Sequence, residues 1–154
     1  MRVDSPVRYG PWRSVYAPSS VFARESFLDE VAHAAGRDPL QMRLDLLKGD
    51  AVQAGSMTVN RPRLRQVLEA VRERSKWHDP IPPGRGRGVA CNIYDGDTAL
   101  AYVVEVSNGP GGSFRIDRVV CAVDCGLVVN PTGVEQQIEG GIIWALAQLH
   151  NEIT

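Results

Sequence analysis

The sequence predicts an α+β fold: N-terminal helices, then a three-stranded antiparallel β-meander, then a C-terminal helix. Three observations carry this prediction. Apolar residues recur at helical spacing through the first half of the chain. A stretch rich in helix breakers, Asp79-Pro-Ile-Pro-Pro-Gly84, then interrupts the pattern and marks a subdomain boundary. After it the texture turns to β-branched and aromatic runs around Asp95-Gly96-Asp97, and Asp-Gly between such runs signals a hairpin because glycine accepts the positive φ of a tight turn.

The elements follow in order. Residues 1–18, with Pro6, Gly10, Pro11 and Pro18, read as an irregular loop. Ser19 or Ser20 is placed to cap a helix from Val21 to Ala35, and Gly36 to end it in a left-handed conformation. Asp38 caps a second helix with Pro39 at its first position, its buried face being Leu40, Leu44 and Leu47. Residues 49–60 read as a loop. Asn60 with Pro62 opens a third helix carrying Leu64, Val67, Leu68 and Val71, which fades near Trp77. Strands are predicted over 88–94, 98–106 and 113–123. In the last, Phe114, Ile116, Arg118 and Val120 alternate with Arg115, Asp117 and Val119. The final helix spans 134–152, with Ile138, Ile142, Ala145, Leu146 and Leu149 on one face.

Composition narrows the class. The chain has 154 residues, enough for a real core, with 44% apolar and 23% charged residues as in ordinary globular proteins. Seventeen basic against eighteen acidic residues leave a net charge of −1, which implies no nucleic-acid partner. The basic run Arg61, Arg63, Arg65, Arg72, Arg74, Lys76, Arg85 and Arg87 reads as a solvated face. Three cysteines, Cys91, Cys121 and Cys125, give no disulfide framework. The scattered His33, His78 and His150 give no zinc spacing, so the thiols read as buried and inert. No run approaches 18 apolar residues and the start lacks an apolar leader, so no membrane span is expected. A soluble protein is expected, its compartment, cytoplasmic or periplasmic, left open. Glu25, Asp29 and Glu30 read as structural or solvent-facing helix carboxylates, and Asp124 as a brace for the Cys125-Gly126 turn.

Several stretches, in order, carry a resemblance. They are Gly10-Pro-Trp-Arg-Ser-Val15, Phe22-Ala-Arg-Glu-Ser-Phe-Leu-Asp-Glu30, Gly36-Arg-Asp-Pro-Leu-Gln-Met-Arg43, Gly86-Arg-Gly-Val-Ala90, and the segment from Ala101 to Thr154 with its Gln137-Ile-Glu-Gly-Gly141 element. Together they resemble the large, molybdopterin-binding subunit of the xanthine dehydrogenase and aldehyde oxidase superfamily, most of all the isoquinoline 1-oxidoreductase beta-subunit type. Residues 50–82 contribute least. The resemblance implies that 1–84 is the helical part of the second molybdopterin-binding domain. It implies that 85–154 is the meander and helix of the same domain, cut short at its C-terminus.

The resemblance also implies chemistry. Such proteins hydroxylate N-heteroaromatic rings or aldehydes with oxygen from water, using molybdenum held by molybdopterin, in many bacterial relatives as a cytosine dinucleotide. Arg13 would be the one catalytic contributor, its fork holding an oxygen or developing negative charge beside the metal. Trp12, Arg13, Ser14 and Val15 would form one wall of the cofactor site, and Gln137, Gly140 and Gly141 another. Glu139 is given no catalytic role. No residue of the chain is a predicted metal ligand. The chain has no iron–sulfur cysteine pattern, so the implied partner is a small [2Fe–2S] subunit. The family's Gly-x-Gly-Glu motif with the catalytic glutamate is missing, as is its Gly-Gln-Gly pterin loop, and Trp144-Ala145 stands where relatives often have glycine. The chain is therefore expected to be an inactive fragment by itself. Two alternatives stay open: a relative of the aldehyde, carbon monoxide or nicotinate type, or a noncatalytic fragment that only packs with a partner.

Overall fold

A computed structural model describes residues 10, 13–55, 57–95 and 98–150. The elements are α1 (Ala17–Ala34), α2 (Pro39–Leu46), β1 (Val52–Ala54), β2 (Met57–Val59), α3 (Arg61–Ser75), β3 (Arg85–Tyr94), β4 (Thr98–Asn108), β5 (Phe114–Asp124) and α4 (Pro131–His150). The α+β class is as predicted. The chain divides into two compact units, Met1–Asp124 and Cys125–Thr154.

Helix boundaries follow local chemistry. Helix α1 starts at Ala17, earlier than predicted, because Pro18 in its first turn needs no N–H partner and has its φ preset. Ser19 and Ser20 are therefore not caps. They sit inside the turn, where their hydroxyls donate back to the Tyr16 carbonyl at 3.3 and 2.9 Å. Gly36 at φ +60 ends the helix as expected, with the Arg37 N–H on the Ala32 carbonyl at 2.9 Å. Asp38 caps α2 through the Gln41 N–H at 2.6 Å, and its second oxygen accepts from the Trp77 indole at 2.7 Å. Asn60 caps α3 through the Arg63 N–H at 3.2 Å.

The predicted loop at 49–60 instead holds a small hairpin, with Val52 opposite Val59 and Ala54 opposite Met57. Three pairs are too short a ladder for alternation to show in sequence.

The sheet has the order β3-β4-β5, antiparallel throughout. Its period-two pattern sends Val89, Cys91, Ala99, Ala101 and Val103 toward Leu40 and Leu44 of α2 and Leu64, Val67, Leu68 and Val71 of α3. These residues form the core of the first unit, so the 79–84 linker connects two sides of one core. The other face carries Ala90, Asn92 and Tyr94 of β3, Leu100, Tyr102 and Val104 of β4, and Val119, Cys121 and Val123 of β5, by register.

The predicted alternation along β5 fails at Asp117. Glu105 pairs with Arg118 but Val106 pairs with Ile116, so Asp117 is the extra residue of a bulge. Ile116 thereby shares the Val106 face, opposite to Arg118 and Val120. Asp117 accepts from Ser107 Oγ at 3.0 Å and Arg115 Nε at 2.9 Å, and Arg85 Nε stands 3.8 Å from its other oxygen.

In the second unit Asn130 accepts from the Gly133 N–H at 3.1 Å, and Pro131 takes the first helical position. This cap starts α4 three residues before the predicted Val134. Of its predicted face, Ile138, Ile142 and Leu146 are half-buried, while Ala145 and Leu149 are exposed.

Candidate functional site

The turn ahead of α1 is conformationally costly. Ser14 and Val15 both have positive φ, +65° and +48°. A β-branched residue there is a genuine outlier, at a cost on the order of 1–3 kcal/mol per residue. The turn is closed by the Ala17 N–H on the Ser14 carbonyl at 2.8 Å. Tyr16 stacks on Tyr94 of β3 with ring centroids 6.4 Å apart, which ties the turn to the sheet face away from α3. Arg13 and Val15 are exposed and Ser14 is half-buried. Trp12, predicted beside them, lies outside the described residues.

At the centre of that face Tyr102 and Cys121 stand opposite each other in register. Burial, and then the Cys121 sulfur, push the Tyr102 hydroxyl well above its usual pKa, while the charge of Arg13 pulls it down. Burial likewise raises the Cys121 thiol, against the opposing influence of the Tyr102 hydroxyl. Both groups therefore stay protonated at neutral pH. Sequence reasoning missed Tyr102, Tyr16 and Tyr94. Their shared face depends on strand register, and no local motif reports it.

A second polar cluster pins α1 to the sheet. Glu25 and Arg43 are both buried. Arg43 Nε donates to Glu25 Oε2 at 2.9 Å, Nη2 to the Glu25 carbonyl at 2.9 Å, and Nη1 to Asp29 at 2.7 Å and the Pro39 carbonyl at 3.0 Å. The Cys91 N–H of edge strand β3 donates to Glu25 Oε2 at 2.9 Å. Arg24 adds bonds to Glu25, the Cys91 carbonyl and Asn92. Burial alone would lower the Arg43 pKa, but Glu25 and Asp29 outweigh it and raise it. Glu25 and Asp29 thus have the structural role the sequence suggested. A cleft of about 270 Å³ opens beside this clamp and contains none of the predicted site residues.

The basic run is only partly a solvated face. Arg63 forks onto both Asp124 oxygens at 2.7 Å and its carbonyl at 3.1 Å. Arg87 pairs with Glu105 at 3.1 Å, donates to the Trp77 carbonyl at 2.7 Å and lies 5.9 Å from the Trp77 ring centre. The thiols also differ from the expectation. Cys91 is buried, with burial pushing its thiol up to about 12, whereas Cys125 is exposed. Among the described residues no group of three His, Cys, Asp or Glu side chains is placed to hold a metal ion.

In the second unit Gln137 and Gly140 are exposed and Gly141 is half-buried. Three and four residues apart, they share one face of α4. A Cβ at Gly140 would meet no atom within 4 Å among the described residues outside its own helical turns. Packing among the described residues does not call for glycine there, although glycine destabilises a helix interior by about 1 kcal/mol relative to alanine. The carboxamide beside a patch without side chains is what a flat, polar heterocycle needs for close approach. By this test the residues present fit a pterin. Arg13 belongs to the first unit and these three residues to the second.

Residues 28–154 match the family described as a molybdopterin cofactor-binding domain, and the chain belongs to that family. A nicotinate dehydrogenase subunit of Pseudomonas putida is 32% identical, covering 96% of this chain and 13% of the relative. A membrane-bound aldehyde dehydrogenase of Gluconacetobacter polyoxogenes, whose name specifies pyrroloquinoline quinone, is 32% identical over 98% of this chain and 21% of the relative. The beta subunit of isoquinoline 1-oxidoreductase from Brevundimonas diminuta is 34% identical over 82% of this chain and 15% of the relative. The chain thus spans about a fifth or less of the length of these curated relatives. No solved structure matches it. No helix among the described residues is long and apolar enough to cross a membrane.

Proposed function

We propose that this chain is part of the large subunit of a molybdenum hydroxylase, in which it supplies residues to a molybdopterin site. One observation carries the reading: Gln137 and the open space beside Gly140 share a helix face inside the segment that matches the cofactor-binding family. In the proposed roles Gln137 hydrogen-bonds the pterin edge while Gly140 and Gly141 let the ring system approach the helix backbone. For Trp12, Arg13, Ser14 and Val15 the proposed role is contact with the cofactor or its substrate, the Arg13 fork holding a substrate oxygen or developing oxyanion. Within the family domain, 1–84 contributes the helical part and 85–154 the meander and helix. When bound, the cofactor supplies the redox chemistry and the protein supplies position and charge.

The substrates we propose are N-heteroaromatic rings or aldehydes. The names of two relatives, a nicotinate dehydrogenase and an isoquinoline oxidoreductase, support the heteroaromatic class. Their names as subunits support an assembly, and the proposed partner is a small [2Fe–2S] subunit. The proposed pterin form is the cytosine dinucleotide.

Gln137→Ala tests the reading in the longest natural protein that carries these segments. Molybdenum and pterin per chain should fall severalfold, measured by metal analysis and pterin fluorescence after oxidation. Unchanged occupancy would remove Gln137 from the site. The 154-residue chain alone is expected to hold little of either.

A further inference from the structure

The two edges of the three-stranded sheet differ. In antiparallel pairs, a residue whose N–H and C=O both face one neighbour alternates with a residue that faces the other way. On β3 the Cys91 N–H faces away from β4, because it donates to Glu25 Oε2 at 2.9 Å, and its carbonyl accepts from Arg24 Nη2 at 3.3 Å. Side chains of α1 therefore occupy the middle of the β3 edge, and no strand can pair through Cys91.

The same alternation fixes the other edge. Cys91 lies opposite Ala101, so Ala101 turns its backbone groups away from β3 and toward β5. Ala101 pairs with Ala122 and Val103 with Val120, so Ala122 and Val120 are the residues bonded to β4. Val119, Cys121 and Val123 then point their N–H and C=O groups outward. Among the described residues no hydrogen bond reaches those groups.

Water can serve an outward N–H, but this edge lacks the usual protection. Natural proteins guard an open edge with Lys, Pro, a bulge or a covering element. Residues 119–123, Val-Val-Cys-Ala-Val, carry no charge and no proline, and the bulge at Asp117 lies outside the run. The run is apolar on both faces of the sheet. Val120 and Ala122 pack against the core, while Val119, Cys121 and Val123 lie on the opposite face. A strand added here would have apolar neighbours above and below, which suits an extended segment that is itself apolar on both faces.

We propose that the outer edge of β5 takes a further strand, apolar on both faces along residues 119–123 and supplied by the part of the large subunit outside these 154 residues. The inference rests on the reading of the chain as part of that subunit. The chain spans about a fifth or less of its relatives' length, so a polypeptide of their size has the residues to supply such a segment. Supply from the same polypeptide also makes the pairing independent of concentration, unlike pairing with a second copy.

Amide hydrogen exchange tests this, read residue by residue by mass spectrometry in the 154-residue chain and in the longest natural protein that carries these segments. In the 154-residue chain the amides of Val120 and Ala122 should be protected, and those of Val119, Cys121 and Val123 should exchange within about tenfold of the unprotected rate. In the longer protein the three outward amides should also slow, by more than about a hundredfold, because each has gained an acceptor. Outward amides that stay fast in the longer protein would overturn the proposal. Protection of a single one would indicate a side-chain cap, like that of Glu25 on Cys91, and would also overturn it. So would protection already present in the 154-residue chain: lost on dilution, it assigns the edge to a second copy, and otherwise the chain covers its own edge. If the outward amides are protected in the longer protein while Gln137→Ala leaves its cofactor content unchanged, the strand stands and Gln137 leaves the cofactor site. If they stay fast while Gln137→Ala empties that site, the reverse holds.

Discussion

At the scale of single residues, the first unit depends on charges placed where solvent cannot reach them. Glu25 is the joint of three elements, since its carboxylate meets Arg43 of α2 and the Cys91 N–H of β3 from its own seat on α1. Removing one partner of such a buried pair leaves the other uncompensated, which costs about 3–5 kcal/mol. Glu25→Ala should therefore lower unfolding free energy by about that amount in urea denaturation, and a loss below about 1 kcal/mol would show that Asp29 and water suffice for Arg43. Asp117 sets a pH dependence. Burial on its own would raise its carboxyl, but the Ser107 hydroxyl and then Arg115 and Arg85 bring it below the ordinary 3.8. A carboxyl lowered on folding contributes stability that is fully present above 3.8 and is lost as pH falls through the folded value. The stability difference between the parent chain and Asp117→Asn should accordingly shrink as pH falls below 3.8 and through the folded value, and a difference that grew on acidification would contradict the assignment.

At the scale of elements, caps and turns were legible where one side chain does the local work. Asp38, Asn60 and Gly36 act where the sequence placed them, because each satisfies or relieves its own helix end. Legibility failed where the signal was short or long-range. The 52–59 hairpin is too brief to show a period, and the Asp117 bulge reflects partners on β4 and β3 that no reading of β5 alone supplies. Helix α4 offers a test at this scale. The Cβ of Gly140→Ala has open space among the described residues, so the change should stabilise the 154-residue chain by up to about 1 kcal/mol through helix propensity. The same change should lower pterin content in the longer protein, where a ring is proposed to lie against that helix face. Equal cofactor content would show that the open patch serves something else.

At the scale of the whole molecule, the two compact units are joined through an exposed stretch. Leu127 and Val129 are 92% and 87% exposed in the segment between Asp124 and Pro131. Limited proteolysis should cut there first, leaving a protected piece that ends near Asp124, and mass spectrometry of the early fragments checks it. First cuts inside β3 or β4 would contradict the sheet as the stable centre.

Of the candidate site, the sequence named Arg13, Ser14, Val15, Gln137, Gly140 and Gly141 by resemblance, and the family follows from matching residues 28–154. Tyr102 with Cys121, and Glu25 with Arg43, emerged only with the fold. The chemistry of each helix end, the apolar periods and the order of elements are properties of neighbouring residues, so the chain alone determined them. Which carboxylate is buried, which face of the sheet meets the strained turn, and where β5 changes register are properties of residues far apart in sequence. These were decided only when strand pairing and core packing brought them together, because the energies concerned arise from burial and direct contact.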